Sequence, residues 1–337
     1  MGLPSLSLID VTMKHIDPHV HCRDWEQSYK ATIKSVTETA RSQGIVAFVD
    51  MPNTSPSITN GELVKRRLDT ARQEGCLEGY YLYIGATNDP SQLKEAARIA
   101  ETNPRVAGIK MFAGRSTGNL AITGEKAQQQ VYQVLSDAGY EGVLAVHCEK
   151  EDLFKPELWD PSKPYTWNLA RPPEAEVESV RDQIRFAAES GIGAHLHILH
   201  VTVPEAVGLI SDARSTMKIS CGVTPHHLTI STDKMQDASG LAYKVNPPIR
   251  EPGYGEELVR LLREGKIDWI ETDHAPHAPA EKAYDPSKPS THYMSGIPSM
   301  DFYSLFLKGL SEQGFTYDKI ERLTYYNIKN VIKKITE

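Results

Sequence analysis

Short runs of apolar and β-branched residues alternate with longer amphipathic stretches along the 337 residues, and this alternation limits the fold more than any other feature. The runs lie near residues 16–20, 45–51, 80–86, 106–112, 143–147, 194–201, 218–223 and 267–272. Their length and their Val and Ile content read as buried strands. Between them the spacing predicts helices over 26–43, 62–74 and 125–138, stopped by Gly44, Gly75 and Gly139, because glycine accepts the left-handed conformation that ends a helix. A last helix-like stretch covers 317–335. Eight such alternations predict an α/β fold, a (β/α)8 TIM barrel, with residues 1–337 as one domain. An open doubly wound sheet is the alternative. It is disfavoured because polar candidates end strands 1, 4, 5, 6 and 8, and only a closed barrel gathers those ends at one mouth.

Those strand ends carry the chemistry. Asp17-Pro18-His19-Val20-His21 places two histidines at i, i+2, on one face of a strand. His147 and His200 each follow a short apolar run, and so does Asp273 in Thr272-Asp273-His274-Ala275-Pro276-His277. Four imidazoles and one carboxylate are donors that zinc accepts. Five ligands are too many for one open catalytic zinc and too few for two, so a sixth, bridging ligand is expected. Lys110 is the candidate, ending the otherwise apolar Val106-Ala107-Gly108-Ile109-Lys110. An ammonium would be repelled by two cations, whereas reaction of the neutral amine with carbon dioxide gives a carbamate with two oxygens to share.

A formal net charge of -7 and a pI near 6.0 give nucleic acid or an anionic membrane nothing to neutralise, so a small-molecule partner is expected. The four cysteines show no Cys-x-x-Cys spacing, which predicts a reducing, cytoplasmic setting. The start, Met1-Gly2-Leu3-Pro4-Ser5-Leu6, has no basic region, and Lys14 and His15 interrupt the next apolar residues, so no cleaved leader is expected. No apolar run approaches the length of a spanning helix.

Taken in order, Asp17-Pro18-His19-Val20-His21-Cys22-Arg23-Asp24, Met51-Pro52-Asn53-Thr54, Gly108-Ile109-Lys110, His197-Ile198-Leu199-His200-Val201, Thr224-Pro225-His226-His227-Leu228, Asn246-Pro247-Pro248-Ile249-Arg250 and the Asp273 segment span nearly the whole chain. This ordered set resembles the amidohydrolase superfamily of metal-dependent hydrolases, and within it the dihydroorotases. The resemblance implies a binuclear zinc site with His19, His21 and Asp273 on one metal, His147 and His200 on the other, and N6-carboxylated Lys110 bridging them. It implies reversible cyclisation of N-carbamoyl-L-aspartate to (S)-dihydroorotate in pyrimidine biosynthesis, with Asp273 as general base and then acid. Longer members of the family carry a small β-sandwich built from both termini, which this sequence is expected to lack. Association into a homo-oligomer or with aspartate transcarbamoylase is compatible with the family.

Dihydroorotate carries a carboxylate, and Arg23, two residues after the second metal histidine, is placed to grip it in a two-bond fork. Asn53 adds an amide donor, and His277 completes the clamp if the family pattern holds. His195, His197, His226 and His227 read as structural, with hydrogen bonding a better-supported role than ligation. Three long connections, 149–174, 224–255 and 274–299, are expected to shape the pocket. The loop 113–119 is either a cover over the substrate or a plain turn. Two rivals stand beside this reading: another cyclic amidohydrolase of the dihydropyrimidinase or allantoinase type, and a catalytically inactive scaffold protein.

Overall fold

A computed structural model describes residues 13–336; residues 1–12, including the start read for a leader, and residue 337 lie outside the described residues. Eight strands, β1 (His15–Val20), β2 (Ile45–Asp50), β3 (Tyr80–Gly85), β4 (Val106–Ala113), β5 (Val143–Cys148), β6 (His195–Ile198), β7 (Ile219–Val223) and β8 (Trp269–Ile270), stand side by side in chain order. All seven strand pairs are parallel. A parallel neighbour needs a crossover, and helices such as α1 (Ile33–Ser42), α2 (Gly61–Gln73), α3 (Pro90–Thr102) and α4 (Glu125–Asp137) supply it. The architecture is the (β/α)8 barrel that the alternation predicts.

Side chains make the closure between the last strand and the first. The backbone N–H of Thr272 donates to Asp17 Oδ1 at 3.1 Å, and the Thr272 hydroxyl donates to Asp17 Oδ2 at 2.5 Å. Val20 bridges His274, and His21 N–H donates to His274 O at 2.8 Å. This explains why β8 covers two residues where the sequence predicts 267–272: Thr272 spends its N–H on a carboxylate. The strand expected over 194–201 ends at Ile198 for a similar reason, since His200 adopts φ 37° and its N–H goes to Glu271 Oε1 at 2.7 Å.

The helix expected over 26–43 begins only at Ile33. Thr32 and Ser35 form a reciprocal cap there, and the preceding residues make a single turn at Trp25–Gln27. Residues 317–335 divide into a helix (Tyr317–Glu321), a π-helical turn (Arg322–Tyr326) and a second helix (Asn327–Val331).

Alternation along each strand sorts side chains into two layers. Val49, Met51, Tyr83, Ala145 and Trp269 fill the barrel, and Ile328 and Ile332 pack against them from the C-terminal segment. Phe48, Leu82, Ile84, Ile109, Leu144 and Val146 face outward, against Val36, Ala40, Leu68 and Ala96 of the helices. Each such aliphatic side chain contributes about 1.5–3 kcal/mol on burial.

One outward position is charged. Asp50, ending β2, accepts from Arg67 Nη2 at 2.7 Å, Arg67 Nε at 2.9 Å, Tyr80 Oη at 2.6 Å and the backbone N–H of Cys22 at 2.9 Å. Asp50 and Arg67 are both fully buried. The pair therefore ties α2 and β3 to the turn that carries His21 and Arg23. Arg67→Met should strand the Asp50 carboxylate and cost about 3–5 kcal/mol in urea unfolding, with Asp50→Asn added in the same chain recovering part of it. A loss below about 1 kcal/mol would show that water reaches the carboxylate.

Candidate metal centre

Strand alternation carries polar groups inward at the C-terminal ends. His147 is two residues beyond the interior Ala145, and His19 and His21 share one face at the end of β1. His19, His21, Lys110, His147, His200 and Asp273 all line one cavity of about 20 Å³, together with Arg23 and Asn53. His277 does not line it. It sits behind Arg23, with its Nε2 3.1 Å from Arg23 Nη2 and 3.0 Å from Ser295 O.

The donors fall into two groups. Asp273 Oδ1 lies 3.2 Å from His19 Nε2 and 3.0 Å from His21 Nε2. His147 Nδ1 lies 3.1 Å from His200 Nε2. Donor atoms of His19, His200 and Asp273 all fall within 4.8 Å of one another, a spacing that suits a metal ion. Burial lowers the pKa of all four histidines, so near neutral pH they offer lone pairs. Burial likewise raises Asp273.

Lys110 Nζ is fully buried, has no hydrogen-bond partner among the described residues, and lies 4.4 Å from the centre of the Phe112 ring. Burial brings its pKa down to about 7, against the pull of Asp273 and Glu271. Arg23, His200 and Asp273 adopt φ of 59°, 37° and 47°, in the left-handed region that bulky residues avoid. Strain held at three residues lining one cavity marks a functional site.

Two carboxylates that sequence reasoning misses hold the imidazoles. Glu271 Oε1 accepts from His200 N–H at 2.7 Å and lies 3.3 Å from His19 Nδ1. Its Oε2 lies 3.1 Å from His197 Nε2 and accepts from Trp269 Nε1 at 2.9 Å. Burial alone would raise Glu271, but hydrogen bonds from His19 and His197 outweigh it and hold the carboxyl below its ordinary range. An ideal Cβ on Gly222 would come within 2.5 Å of Glu271 Oε2, so the missing side chain makes room for the carboxylate. Glu149 Oε2 lies 2.8 Å from His147 Nε2, and Arg171 Nε donates to Glu149 Oε1 at 2.9 Å. Burial pushes Glu149 up, yet Arg171 and His147 bring it down to about 2. The available signal is spacing: Glu149 follows His147 by two residues and Glu271 precedes Asp273 by two, so each shares a face with a candidate ligand.

Asn53, expected to donate to substrate, has both ends of its amide engaged. Oδ1 lies 2.8 Å from His21 Nδ1 and Nδ2 donates to Thr117 O at 2.8 Å. Arg171 Nη2 donates to Arg115 O at 2.7 Å. The loop 113–119 is thus tied to both groups of histidines. His195 and His197 lie 2.8 Å and 2.9 Å from Ser220 Oγ, and His227 lies 2.8 Å from Thr224 Oγ1, consistent with structural roles. His226 is buried with neither ring nitrogen partnered among the described residues.

No family model matches the chain. A dihydroorotase of Halobacterium salinarum is 31% identical over 319 residues, covering 94% of this chain and 70% of that protein. The chain belongs to the dihydroorotase family. A dihydroorotase of Brevibacillus brevis is 33% identical over 273 residues, covering 80% of this chain and 61% of that protein. Among solved structures, an L-hydantoinase of Arthrobacter aurescens superposes with a TM-score of 0.81 at 21% identity, covering 95% of this chain and 71% of that one. The dihydroorotase of Saccharomyces cerevisiae gives 0.77 at 18% identity, covering 96% and 85%. Those two likenesses establish the barrel, while the sequence relatives distinguish dihydroorotase from the hydantoinase type. The function is that of a dihydroorotase, an enzyme that hydrolyses cyclic amides. No helix among the described residues is long and apolar enough to cross a membrane.

Partners that orient a metal histidine typically change metal affinity about 10- to 100-fold when removed. Glu149→Gln should therefore weaken zinc binding by about that factor in a chelator competition, with an unaltered circular dichroism spectrum. Unchanged affinity would mean that Glu149 serves Arg171 alone.

Proposed function

We propose that the chain interconverts (S)-dihydroorotate and N-carbamoyl-L-aspartate using two zinc ions, one held by His19, His21 and Asp273, the other by His147 and His200, with N6-carboxylated Lys110 between them. The observation that carries this reading is Lys110 itself: a buried lysine among four histidines with no hydrogen-bond partner among the described residues. Such a group is costly unless something else satisfies it, and a carbamate between two cations does so. When bound, the ions supply Lewis acidity, lowering the pKa of water and polarising the amide carbonyl.

The chain's own residues do the rest. Arg23 is buried, spends Nε on Pro276 O at 3.1 Å, and lines the cavity, where its guanidinium binds the ring carboxylate. His277 positions Arg23 from behind. Asn53 orients His21 through Oδ1 while lining the same cavity. Asp273 takes the proton of the attacking water on a carboxylate oxygen and hands it to the leaving ring nitrogen. We read the chain as a one-domain cytoplasmic enzyme acting on a small molecule.

Elemental analysis of active enzyme should give about two zinc ions per chain. Lys110→Ala should keep the barrel, lose bound metal and lose most activity; full activity with one metal per chain would refute the bridge.

Arg23→Met should lower kcat/KM for dihydroorotate about 30- to several-thousand-fold, since stranding one partner of a buried charge pair costs about 2–5 kcal/mol. Metal content should be retained. Any slow turnover of dihydrouracil, which has no carboxylate, should fall much less. Equal losses on both substrates would reduce Arg23 to a structural role.

A further inference from the structure

Val245, Asn246 and Ser295 line the metal cavity, although none of them belongs to a strand or helix. They come from two long connections, 224–255 and 274–299, so the two stretches must be fixed against each other before the wall has a shape. A single cation does this. Lys282, in a four-residue helix (Pro279–Lys282), lies outside the cavity lining, and its Nζ donates to Lys244 O at 2.8 Å, Met294 O at 3.1 Å and Gly296 O at 2.9 Å. Those carbonyls belong to the residue before Val245 and to the residues on either side of Ser295.

An ammonium has three protons, and each of them meets one carbonyl. Burial lowers the pKa of Lys282 to about 7 against the pull of Glu281, and bonds to three carbonyls favour the charged form, the only one with a proton for each. The segment held in this way rests on the residues assigned to the substrate carboxylate. Ser295 O lies 3.0 Å from His277 Nε2, and that nitrogen is 3.1 Å from Arg23 Nη2. Glu281 Oε2 lies 3.3 Å from His277 Nδ1, so the ring sits between the short helix and the 294–296 segment. The fit is close: an ideal Cβ on Gly296 would come within 2.8 Å of His277 Cδ2 and 2.5 Å of Ala275 O.

We propose that Lys282 is a positioning residue for substrate recognition. Its ammonium, caged by the carbonyls of residues 244, 294 and 296, fixes Ser295 and through it the His277–Arg23 pair that receives the ring carboxylate. This inference rests on the reading of Arg23 as that receptor. All three bonds of Lys282 go to main-chain carbonyls outside the six proposed metal ligands, so its loss acts on binding of the carboxylate and leaves the metal centre as it is.

The test is kinetics of the metal-loaded Lys282→Ala chain, which lacks the equivalent of one n-propylammonium. KM for dihydroorotate should rise about 10- to 150-fold, the range for hydrogen bonds to a charged group, with kcat and zinc content within about twofold of the parent. Added n-propylammonium should restore most of the lost KM, because it returns both charge and donors to the cage. Tetramethylammonium, which has the charge and no donor, should not. Lys282→Met keeps the apolar stem and removes only the donors, so it decides the KM effect if the shorter side chain prevents folding. Gly296→Ala, which pushes the segment off His277 while Lys282 stays, should raise KM in the same way and should not respond to n-propylammonium. An unchanged KM, a fall in kcat or zinc content as large as the rise in KM, or equal rescue by tetramethylammonium would each overturn the proposal. Arg23→Met separates the two readings. If it leaves kcat/KM intact, the carboxylate reading has failed and this inference falls with it; if it is damaging and neither Lys282 variant is, the inference fails alone.

Discussion

A closed parallel barrel has a single interior, and every second side chain of each strand must enter it. Everything else in this molecule depends on how that interior is divided. Its lower part is filled by Val49, Tyr83, Ala145 and Trp269 and sealed by Ile328 and Ile332. Its upper part receives histidines, a lysine and acids, and among the described residues all but the Lys110 amine share hydrogen-bond partners there. Glu271 shows how tightly the partners are shared: one carboxylate serves His19, His197, the backbone of His200 and Trp269. Its volume is available only because position 222 has no side chain.

The same economy governs the outer face. Asp50 and Arg67 place a charged pair in the largely apolar outer layer, and their bonds reach the backbone of Cys22, between His21 and Arg23. A stability element and a site element are thus one structure. Left-handed backbone at Arg23, His200 and Asp273 shows where the chain gives up comfort to aim these groups.

Much of this is legible in the sequence. Eight apolar runs announce the barrel, and His19, His21, Lys110, His147, His200 and Asp273, the polar ends of those runs, line one cavity. Legibility fails where partners are distant along the chain. Glu271 and Glu149 look like ordinary acids until a closed barrel brings His19, 252 residues away from Glu271, or Arg171 against them. The late start of α1 turns on a local Thr32–Ser35 cap that outweighs helical spacing in 26–32. The shortness of β8 depends on Asp17, at the far end of the sequence. Asn53 reads as facing only a ligand, because nothing local announces Thr117 as the receiver of its amide.

Two of the contacts that hold the loop 113–119, Asn53 on Thr117 O and Arg171 on Arg115 O, also grip a histidine directly or through Glu149. Free energies of coupled contacts are reciprocal. Whatever fixes the two imidazoles therefore also lowers the entropy of the loop, and whatever displaces the loop loosens both imidazoles together. The loop and the imidazoles it is tied to form one cooperative unit, so neither can be tuned by substitution without the other recording the change.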